Sequence, residues 1–418
     1  AHFVPDRNLL HTAVGHTALR DRKGHVWAWS DTLSTARTGP AWLQGQDGLP
    51  ALSAASSQAA TWLGANDAHT FFGVSRGEYN ASADNNKNFM RDSLMTVKGL
   101  DGFSWWPYPA YPEKTLAMWC GGNSYIVNYV GTSTEEWDYI AFRGSVASIH
   151  PSNWNVSKHD PNLVNLGIAQ VACTDSFVLF LTHQAEIYAV GSNHCGQLGD
   201  NTINAYADIL PVPGMPKFKA VAAGLDPGSQ TAFSLGLDFQ GRVWSWGNND
   251  YGQLGMGYHG GNVLSPHMLP PFPSPVIALA AGDRHALALT EDGRVFAWGD
   301  NRQGQIGSGD GDGDGALDQT MVNSPYPVPG LGTVFCIAAA ASHSLAMTDG
   351  GELFGWGSNG SGQITGRSGA DLWSPTPVPN APKWQGSDST LTTSVRSAAD
   401  TPGSSTPYPG MGSVIPPA

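Results

Sequence analysis

RHALALTEDGRVFAWGDNRQGQIG, residues 284–307, contains a complete strand-turn-strand pattern. Apolar residues run from Ala286 to Leu289, a glycine-bearing turn follows at 291–293, and apolar residues return up to Trp298. Two such runs around a short turn predict a β-hairpin, and the glycines after Trp298 predict a second turn. Near copies of the return strand and of the second turn occur at three other places: EIYAVGSNHCGQLGD (186–200), RVWSWGNNDYGQLGMG (242–257) and ELFGWGSNGSGQITG (352–366).

These copies identify a repeat protein. The aligned glycines lie 56, 52 and 58 residues apart, at Gly191, Gly247, Gly299 and Gly357. A period of this size is typical of repeat architectures. Weaker copies stand upstream, in HTALRDRKGHVWAWSD (16–31), QAATWLGANDAHTFFGVSRGEYN (58–80) and a stretch at about 119–144. Three weak copies and four clear ones predict seven structural units.

The combined pattern resembles a known repeat. G-x-x-H-[ST]-L-A-L, D-G-x-V-[FY]-A-W-G and N-x-x-G-Q-[LI]-G together are similar to the regulator-of-chromosome-condensation repeat over about residues 5–380. The resemblance implies an all-β, seven-bladed β-propeller, which we expect at residues 1–385. A Ser/Thr/Pro/Gly-rich C-terminal extension follows at 386–418. Since the spacing from each turn sets the strand register, equivalent strand positions are predicted for Trp29, Val190, Trp246, Trp298 and Trp356.

Composition and charge limit the function classes. Glycine (52) and proline (29) make up about a fifth of the 418 residues, as many short strands and turns require. The 34 acidic residues outnumber 21 lysines and arginines, and the formal net charge is −13, so we expect no binding of nucleic acid. We also expect no membrane span, because no apolar run reaches 18 residues.

An aromatic insertion at about 80–114 is the first candidate for a partner-binding surface. The segment is too long for a simple connection between blades, and long loops in compact domains tend to be functional. Aromatic side chains are enriched at interfaces. The alternative is a loop folded back over the blade edges with its aromatic side chains buried. The candidate partner-binding residues are Phe103, Trp105, Trp106, Tyr108 and Tyr111.

An acidic segment, GSGDGDGDGALDQTM, begins at residue 307 and is a candidate calcium site. Its carboxylates have the spacing of the acidic half of a calcium-binding loop, with a glycine at the sixth position. The twelfth position is Met321, where an EF-hand needs a bidentate glutamate, so an EF-hand is not indicated. The alternative is a flexible acidic glycine loop. No cofactor other than calcium is suggested, and the candidate ligands are Asp310, Asp312, Asp314 and Asp318.

Calcium titration tests this site. If the four aspartates bind calcium, millimolar calcium raises the melting temperature, because a ligand that binds only the folded state stabilises it by mass action. An unchanged melting temperature at millimolar calcium would contradict the prediction of a calcium site.

Cysteines and histidines have structural alternatives. The four cysteines, Cys120, Cys173, Cys195 and Cys336, contain no C-x-x-C pair, so they do not indicate a zinc site. Cys120 and Cys173 are predicted on neighbouring blades, either as a disulfide or as small buried thiols. His16, His285 and His343 recur at one repeat position. They are either metal ligands gathered near the channel or hydrogen-bonded residues of the hairpin, and we favour the hairpin.

The sequence therefore favours binding over catalysis. It contains no catalytic serine, phosphate-loop, zinc-protease or dinucleotide motif, so we expect that the protein is not an enzyme. The favoured function is a non-enzymatic protein-binding or structural scaffold propeller in a larger assembly, with a protein partner or copies of itself. The main alternative, implied by the resemblance, is an exchange-type regulator of a small GTPase. A second alternative is a protein-inhibitor or carbohydrate-binding surface propeller, suggested by the 15 tryptophans.

Location and the C-terminal extension are further expectations. A binding propeller of this kind is expected at the surface of an assembly or in an extracellular setting. The extension at 386–418 either closes the ring against the first blade or docks on a neighbouring subunit.

Overall fold

The fold consists of small antiparallel sheets. The computed structural model describes residues 168–309, 320–379 and 381 and, before residue 168, ten strands between residues 10 and 143. Together they hold 26 strands in seven sheets, and the described residues contain no helix. Within every sheet the strands lie side by side in chain order. Each sheet is therefore one blade, and the blades are numbered in chain order.

The seven blades are made of three or four strands each. Blades 1 to 3 consist of β1 (Leu10–Thr12), β2 (Thr17–Arg20), β3 (Val26–Trp29) and β4 (Ala41–Trp42); β5 (Ala60–Ala65), β6 (His69–Val74) and β7 (Leu94–Lys98); and β8 (Lys114–Gly121), β9 (Ser124–Val130) and β10 (Asp138–Arg143). Blades 4 and 5 consist of β11 (Ile168–Cys173), β12 (Phe177–Thr182), β13 (Ile187–Gly191) and β14 (Tyr206–Pro211); and β15 (Phe218–Asp226), β16 (Thr231–Asp238), β17 (Val243–Asn248) and β18 (Asn262–Met268). Blades 6 and 7 consist of β19 (Val276–Ala281), β20 (His285–Thr290), β21 (Val295–Asp300) and β22 (Met321–Pro327); and β23 (Val334–Ala340), β24 (His343–Thr348), β25 (Leu353–Gly357) and β26 (Leu372–Pro377).

The first strand of each blade contacts the first strand of the next, and the series returns to its start. These contacts join β1 to β5, β5 to β8, β8 to β11, β11 to β15, β15 to β19, β19 to β23, and β23 to β1. A closed ring of seven blades is a β-propeller, so the predicted fold class is confirmed. The ring closes with strands that precede residue 378. The extension at 386–418 lies outside the described residues, and its docking on a neighbour stays a prediction.

The predicted register is also confirmed. The five residues expected at equivalent positions each lie opposite the same position of the preceding strand: Trp29 opposite Thr17, Val190 opposite Val178, Trp246 opposite Ser234, Trp298 opposite Ala286, and Trp356 opposite Ser344. The hairpin that begins each copy therefore has one geometry in blades 1, 4, 5, 6 and 7.

The 80–114 segment is not a connection throughout. Its residues 94–98 form β7, the third strand of blade 2, and pair with β6. The sequence LMTVK is short and lies between long polar and proline-rich stretches, so the repeat pattern does not reveal it. The irregular region at 131–170 likewise contains β10 and the start of β11.

The apolar core lies between neighbouring blades. Four buried clusters each combine side chains of two adjacent sheets, at the boundaries of blades 4 and 5, 5 and 6, 6 and 7, and 7 and 1. Strands with apolar residues on both faces can fill such a ring, because each sheet is covered on both sides. We call each boundary between consecutive blades a seam.

The outermost strands of blades 5, 6 and 7 share a local irregularity. Each has a register shift against its neighbour at the position of the tryptophan. The shifted segments contain a Ser-Pro pair: Ser265-Pro266, Ser324-Pro325 and Ser374-Pro375. Proline lacks the N–H that a strand ladder requires, so it suits an edge strand or a bulge.

Candidate protein-interaction face

Two loops of every blade lie at the same end of the sheet, because the strands are antiparallel and follow chain order. They are the loop between the first and second strands and the loop after the third strand. In blades 4 to 7 the second of these loops contains the G-Q turn. We call this end of the propeller the Gln-turn face, and the opposite end, which contains the turn at 291–294, the Asp-Gly face.

Each Gln turn is held by the blade that follows it. The carbonyl oxygen of Gln197 accepts hydrogen bonds from Trp246 Nε1 and Ser234 Oγ of blade 5, each at 2.8 Å. We call this contact across a seam the Gln clasp. It recurs at the next two seams: Trp298 Nε1 to Gln253 O at 2.8 Å, Trp356 Nε1 to Gln305 O at 2.9 Å, and Ser344 Oγ to Gln305 O at 2.9 Å.

The same contact closes the ring. Thr17 Oγ1 of blade 1 donates a 2.8 Å hydrogen bond to the carbonyl oxygen of Gln363 in blade 7. Thr17 lies opposite Trp29, as Ser234 lies opposite Trp246, so it occupies the equivalent position. The last seam is therefore built like the internal ones.

Close packing between blades requires the glycine that stands two residues after the glutamine. Gly255 has φ +71°, and a Cβ atom there would lie 2.9 Å from Trp298 Nε1. An L-residue would be strained in this conformation and would push the indole away from the Gln253 carbonyl. The repeat signature is thus explained by packing between blades rather than by a catalytic role.

His285 is a structural residue of the hairpin, as favoured from the sequence. Its side chain is fully buried, and Nε2 lies 2.9 Å from Ser344 Oγ across the seam between blades 6 and 7. Burial lowers its pKa to about 4, against the opposing effects of Asp300 and the Ala341 carbonyl. The histidine is therefore neutral at pH 7.

A His285→Phe variant is expected to flatten the acid dependence of stability. The folded-state pKa near 4 is below the ordinary value of 6.5, so the wild type loses about 3 kcal/mol as pH falls from 6.5 to 4, while the unfolded chain takes up the proton. Phe177 and Phe233 occupy the equivalent positions of blades 4 and 5, so phenylalanine fits the hairpin. Urea denaturation at pH 7 and pH 4.5 measures the difference, with the exposed His267→Ala as control. Equal pH slopes in wild type and variant would contradict it.

Blade 5 has a longer inner hairpin than its neighbours. In blade 6 only two residues separate Gly282 from His285, whereas eight separate the equivalent Gly224 from Phe233. The extra residues continue the ladder through Asp226 and end in an exposed turn at 227–230. This segment, 225–232, projects from the Gln-turn face near the inner strands, and we call it the blade 5 hairpin.

Beside this hairpin, two guanidinium groups lie over one tyrosine ring. The Cζ atoms of Arg284 and Arg302 are 4.5 and 4.8 Å from the centre of the Tyr251 ring. Cation–π contacts of this kind hold both partners in place. We call Tyr251, Arg284 and Arg302 the Arg-Tyr-Arg cluster, which spans the seam between blades 5 and 6.

Two buried carboxylates orient the arginines. Arg284 donates through Nη2 to Asp226, the last residue of β15, and its Nη1 lies 3.9 Å from Asp300 Oδ2. Arg302 donates through Nε and Nη2 to Asp300 at 2.8 and 2.6 Å. The aspartate side chains are only 6 % and 3 % exposed, whereas the arginine side chains are 25 % and 45 % exposed. The surface that the cluster presents to solvent therefore consists of guanidinium groups and tyrosine.

The ion pairs also set the charge states. Burial raises the pKa of Asp226, but hydrogen bonds from Ser229 and Arg284 outweigh it and hold the pKa below its ordinary value. The hydrogen bonds to Asp300 raise the pKa of Arg302. Asp226 and Arg302 are therefore charged at neutral pH, and the cluster is fixed before any partner arrives.

The sequence analysis predicted two other sites. The aromatic candidates Phe103, Trp105, Trp106, Tyr108 and Tyr111 and the acidic candidates Asp310, Asp312, Asp314 and Asp318 are outside the described residues, so both predictions stand as predictions. Among the residues that the structure does describe, no group of three His, Cys, Asp or Glu side chains could hold a metal ion.

The cysteines take the places expected from the repeat. Cys120 pairs with Tyr125, and Cys173 pairs with the equivalent Val178, so the two lie at matching positions of blades 3 and 4. Cys173, Cys195 and Cys336 are buried and form no disulfide. The buried-thiol alternative is correct for these three.

Sequence reasoning missed the Arg-Tyr-Arg cluster. Tyr251 follows Gly247 by four residues, and Arg302 follows Gly299 by three, so both belong to the same turn in neighbouring blades. Arg284 immediately precedes His285. The signal available in the sequence was the arginine and tyrosine at turn positions that vary between the aligned repeats.

Comparison with known proteins identifies the family. The model of the RCC1-like domain matches residues 141–398. The chain belongs to this family, and it is a β-propeller of RCC1-like repeats. Over the described residues, no helix is long and apolar enough to cross a membrane.

Particular relatives share part of the chain. The mouse E3 ubiquitin-protein ligase HERC2 is 31 % identical over 195 residues, which are 46 % of this chain and 4 % of the ligase. The mouse secretion-regulating guanine nucleotide exchange factor is 33 % identical over 195 residues, 45 % of this chain and 40 % of the factor. The matches thus span less than half the length of these relatives.

Solved structures share the fold. Yeast RCC1 (Prp20), in its crystal structure with Kap60, aligns with a TM-score of 0.51 and 18 % identity over 89 % of this chain and 74 % of the other. Human WBSCR16 aligns with a TM-score of 0.53 and 20 % identity over 91 % of this chain and 84 % of the other. At these identities the likeness concerns the fold alone.

Proposed function

We propose that the protein is a non-enzymatic protein-binding propeller, a scaffold within a larger assembly, and that it contacts its partner through the Gln-turn face. The observation that carries the proposal is the Arg-Tyr-Arg cluster. Arginine and tyrosine are enriched among the residues that dominate binding energy at interfaces. Here both arginines are already oriented by buried aspartates, so little side-chain freedom is lost on binding.

The blade 5 hairpin supports the same face. Its turn at 227–230 is exposed, and the Asp226–Arg284 ion pair fixes its base to blade 6. A rigid projection beside a preformed cluster offers a partner both shape and specific contacts. The aromatic residues at 103–111 stay a predicted second contact.

A second candidate function is regulation of a small GTPase. The relative that favours it is the secretion-regulating guanine nucleotide exchange factor, at 33 % identity over 195 residues. Relatives of this fold also have protein partners: Prp20p of Saccharomyces cerevisiae has binding properties to Gsp1p and histones. The match to the HERC2 ligase covers 4 % of that protein, so ligase activity is not proposed for this chain.

Binding through the cluster is tested by substitution. A Tyr251→Ala/Arg302→Ala variant is expected to weaken capture of native partners by about 30-fold or more, because removing two central contacts costs at least about 2 kcal/mol. The matched control is Phe239→Ala/Arg294→Ala on the Asp-Gly face. There Arg294 is also paired with an aspartate, at 2.6 Å, and lies over the Phe296 ring, at 5.8 Å, while Phe239 is an exposed aromatic side chain of the same face.

Affinity capture from native extract with quantitative mass spectrometry provides the measurement. Partners lost from the first variant and kept by the control support the Gln-turn face. Partners lost from the control variant alone would indicate that the binding site lies on the Asp-Gly face. Equal capture by wild type and both variants would reject the proposed surface.

The two candidate functions separate in a nucleotide-release assay. Captured small GTPases, loaded with a fluorescent GDP, are mixed with the propeller, and the release rate is measured. Acceleration that the Tyr251→Ala/Arg302→Ala variant loses supports exchange activity; binding without acceleration supports a scaffold. Capture of glycan-bearing material alone would favour the carbohydrate-binding alternative.

A further inference from the structure

The charges of the Arg-Tyr-Arg cluster are balanced within the protein. Arg284 donates to Asp226, and Arg302 donates to Asp300. The formal charges of the two guanidinium groups are therefore cancelled by those of two carboxylate groups. Both aspartates are almost completely buried, so the balance is part of the folded structure rather than of the solvent layer.

The residues next to the cluster in the chain are acidic. Asp250 precedes Tyr251, and Asp283 precedes Arg284. The whole chain has a formal net charge of −13. An acidic segment of a partner would therefore find no excess of positive charge at the cluster, and electrostatic attraction would contribute little to its binding.

The hydrogen-bonding edges of both guanidinium groups point towards the buried aspartates. Arg302 uses Nε and Nη2, a pair of donors suited to a bidentate contact with a carboxylate, for Asp300, at 2.8 and 2.6 Å. Arg284 uses Nη2 for Asp226, and its Nη1 lies 3.9 Å from Asp300 Oδ2. The feature left for a partner is mainly the flat face of a guanidinium group.

Arg302 offers the more accessible face. Its side chain is 45 % exposed, against 25 % for Arg284. The ring of Tyr251, 4.8 Å from the Cζ atom of Arg302, covers one side of the guanidinium, so the exposed part lies on the side away from the ring. A guanidinium group is planar and weakly hydrated, and it stacks on aromatic rings, whereas the ammonium group of lysine has no such face.

We propose that the partner inserts an aromatic side chain that stacks on the face of Arg302 opposite Tyr251. This contact, which depends on the proposed function, makes the recognition element of the partner aromatic rather than acidic. The incoming ring extends the stack of Tyr251 and Arg302 by one member, and its π-system is attracted by the guanidinium charge. Because Asp300 fixes the plane of the guanidinium, the face is presented in one orientation before binding.

A library of random peptides displayed on phage provides the probe. Peptides are selected on the immobilised full chain, and those that also bind the Tyr251→Ala/Arg302→Ala variant are discarded. The peptides that remain depend on the cluster, whatever their chemistry. We expect Trp, Tyr or Phe to be enriched at one position among them, because aromatic residues pair with arginine at the centres of interfaces.

The Arg302→Lys variant then separates a stacked ring from a contact between charges. Lysine keeps the positive charge and loses the planar face, so the Kd of a selected peptide should rise at least about tenfold. Replacing the aromatic residue of the peptide with leucine should weaken binding to the wild type as well, and this arm requires no protein variant. The Kd should change less than about twofold between low and high salt, because the cluster has no net charge to screen.

The matched control is Arg294→Lys on the Asp-Gly face. Arg294 is also paired with an aspartate and lies over the ring of Phe296, so the same chemical change is made outside the proposed contact. The Kd of the selected peptides should stay the same in this variant. Thermal melting of both lysine variants confirms that they are folded.

Peptides without an enriched aromatic position would overturn the proposal, as would peptides that bind Arg302→Lys as tightly as the wild type. Acidic peptides that lose affinity at high salt would show that the cluster recognises charge instead. A library from which no peptide depends on the cluster would also overturn it. None of these results decides the proposed surface, which is tested separately by the native partners that Tyr251→Ala/Arg302→Ala fails to capture.

Discussion

We expect Trp298→Ala to lower the free energy of unfolding by about 4 kcal/mol. The side chain is fully buried in the core shared by blades 5 and 6, and its removal leaves a large cavity. It also removes the hydrogen bond from Nε1 to the Gln253 carbonyl. Urea denaturation followed by fluorescence and by circular dichroism measures the loss, and a change below about 1 kcal/mol would contradict it.

Phenylalanine at the same place isolates the hydrogen bond. At this seam the position beside the tryptophan is Ala286, so Trp298→Phe leaves the Gln253 carbonyl without the indole donor and with no hydroxyl to replace it. In Trp246→Phe, the Gln197 carbonyl keeps Ser234 Oγ. We therefore expect the Trp298→Phe variant to lose about 1 kcal/mol more than Trp246→Phe. Equal losses would show that the indole bond does not hold the seam.

Arg284→Met is expected to destabilise the fold by about 3 kcal/mol at pH 7. It leaves the Asp226 carboxylate, which is only 6 % exposed, without its cation. In the wild type, the lowered pKa of Asp226 contributes stability above pH 4, which is lost as pH falls through the folded-state pKa. In the variant the contributions of Arg284 to this lowering are gone, so the pKa of Asp226 is higher than in the wild type and the loss should shrink as pH falls from 7 towards 4.

Rescue and a control make the assignment specific. Adding Asp226→Asn to Arg284→Met removes the buried charge and should recover most of the stability at pH 7. Arg294→Met breaks a pair whose side chains are both largely exposed and should change stability by less than about 0.5 kcal/mol. A loss that does not depend on pH, or that Asp226→Asn does not relieve, would mean that packing rather than charge is responsible.

The propeller could be predicted because its repeat signature is the set of residues that join blades. Tryptophan recurs in blades 5, 6 and 7, and the glutamine and the glycine two residues later recur in the preceding blades 4, 5 and 6, since each of these seams uses the same clasp. Blades 1 to 3 lack the Gln turn, so their copies are weak and β7 was missed. Pattern strength along the chain therefore follows the distribution of the clasp.

The Arg-Tyr-Arg cluster could not be predicted from the repeat. Its three members come from three loops of two blades and occupy positions that vary from blade to blade. Arg284 and Arg302 lie over Tyr251 because of the packing angle between neighbouring blades. The sequence of a single repeat does not predict that angle. The blade 5 hairpin is likewise an addition to the repeat, and it becomes evident only when the hairpins are compared in register.

Ser-Pro pairs in the outermost strands of blades 5, 6 and 7 have a consequence for how the protein can associate. A sheet edge normally offers a template on which a foreign strand can continue the ladder, and this is a common route to aggregation. Each of these three rims is interrupted by a register shift and by a residue that cannot donate. Along these three of the seven blades, a neighbour can stack on an end of the propeller, whereas it cannot join sheets side by side into a continuous ribbon.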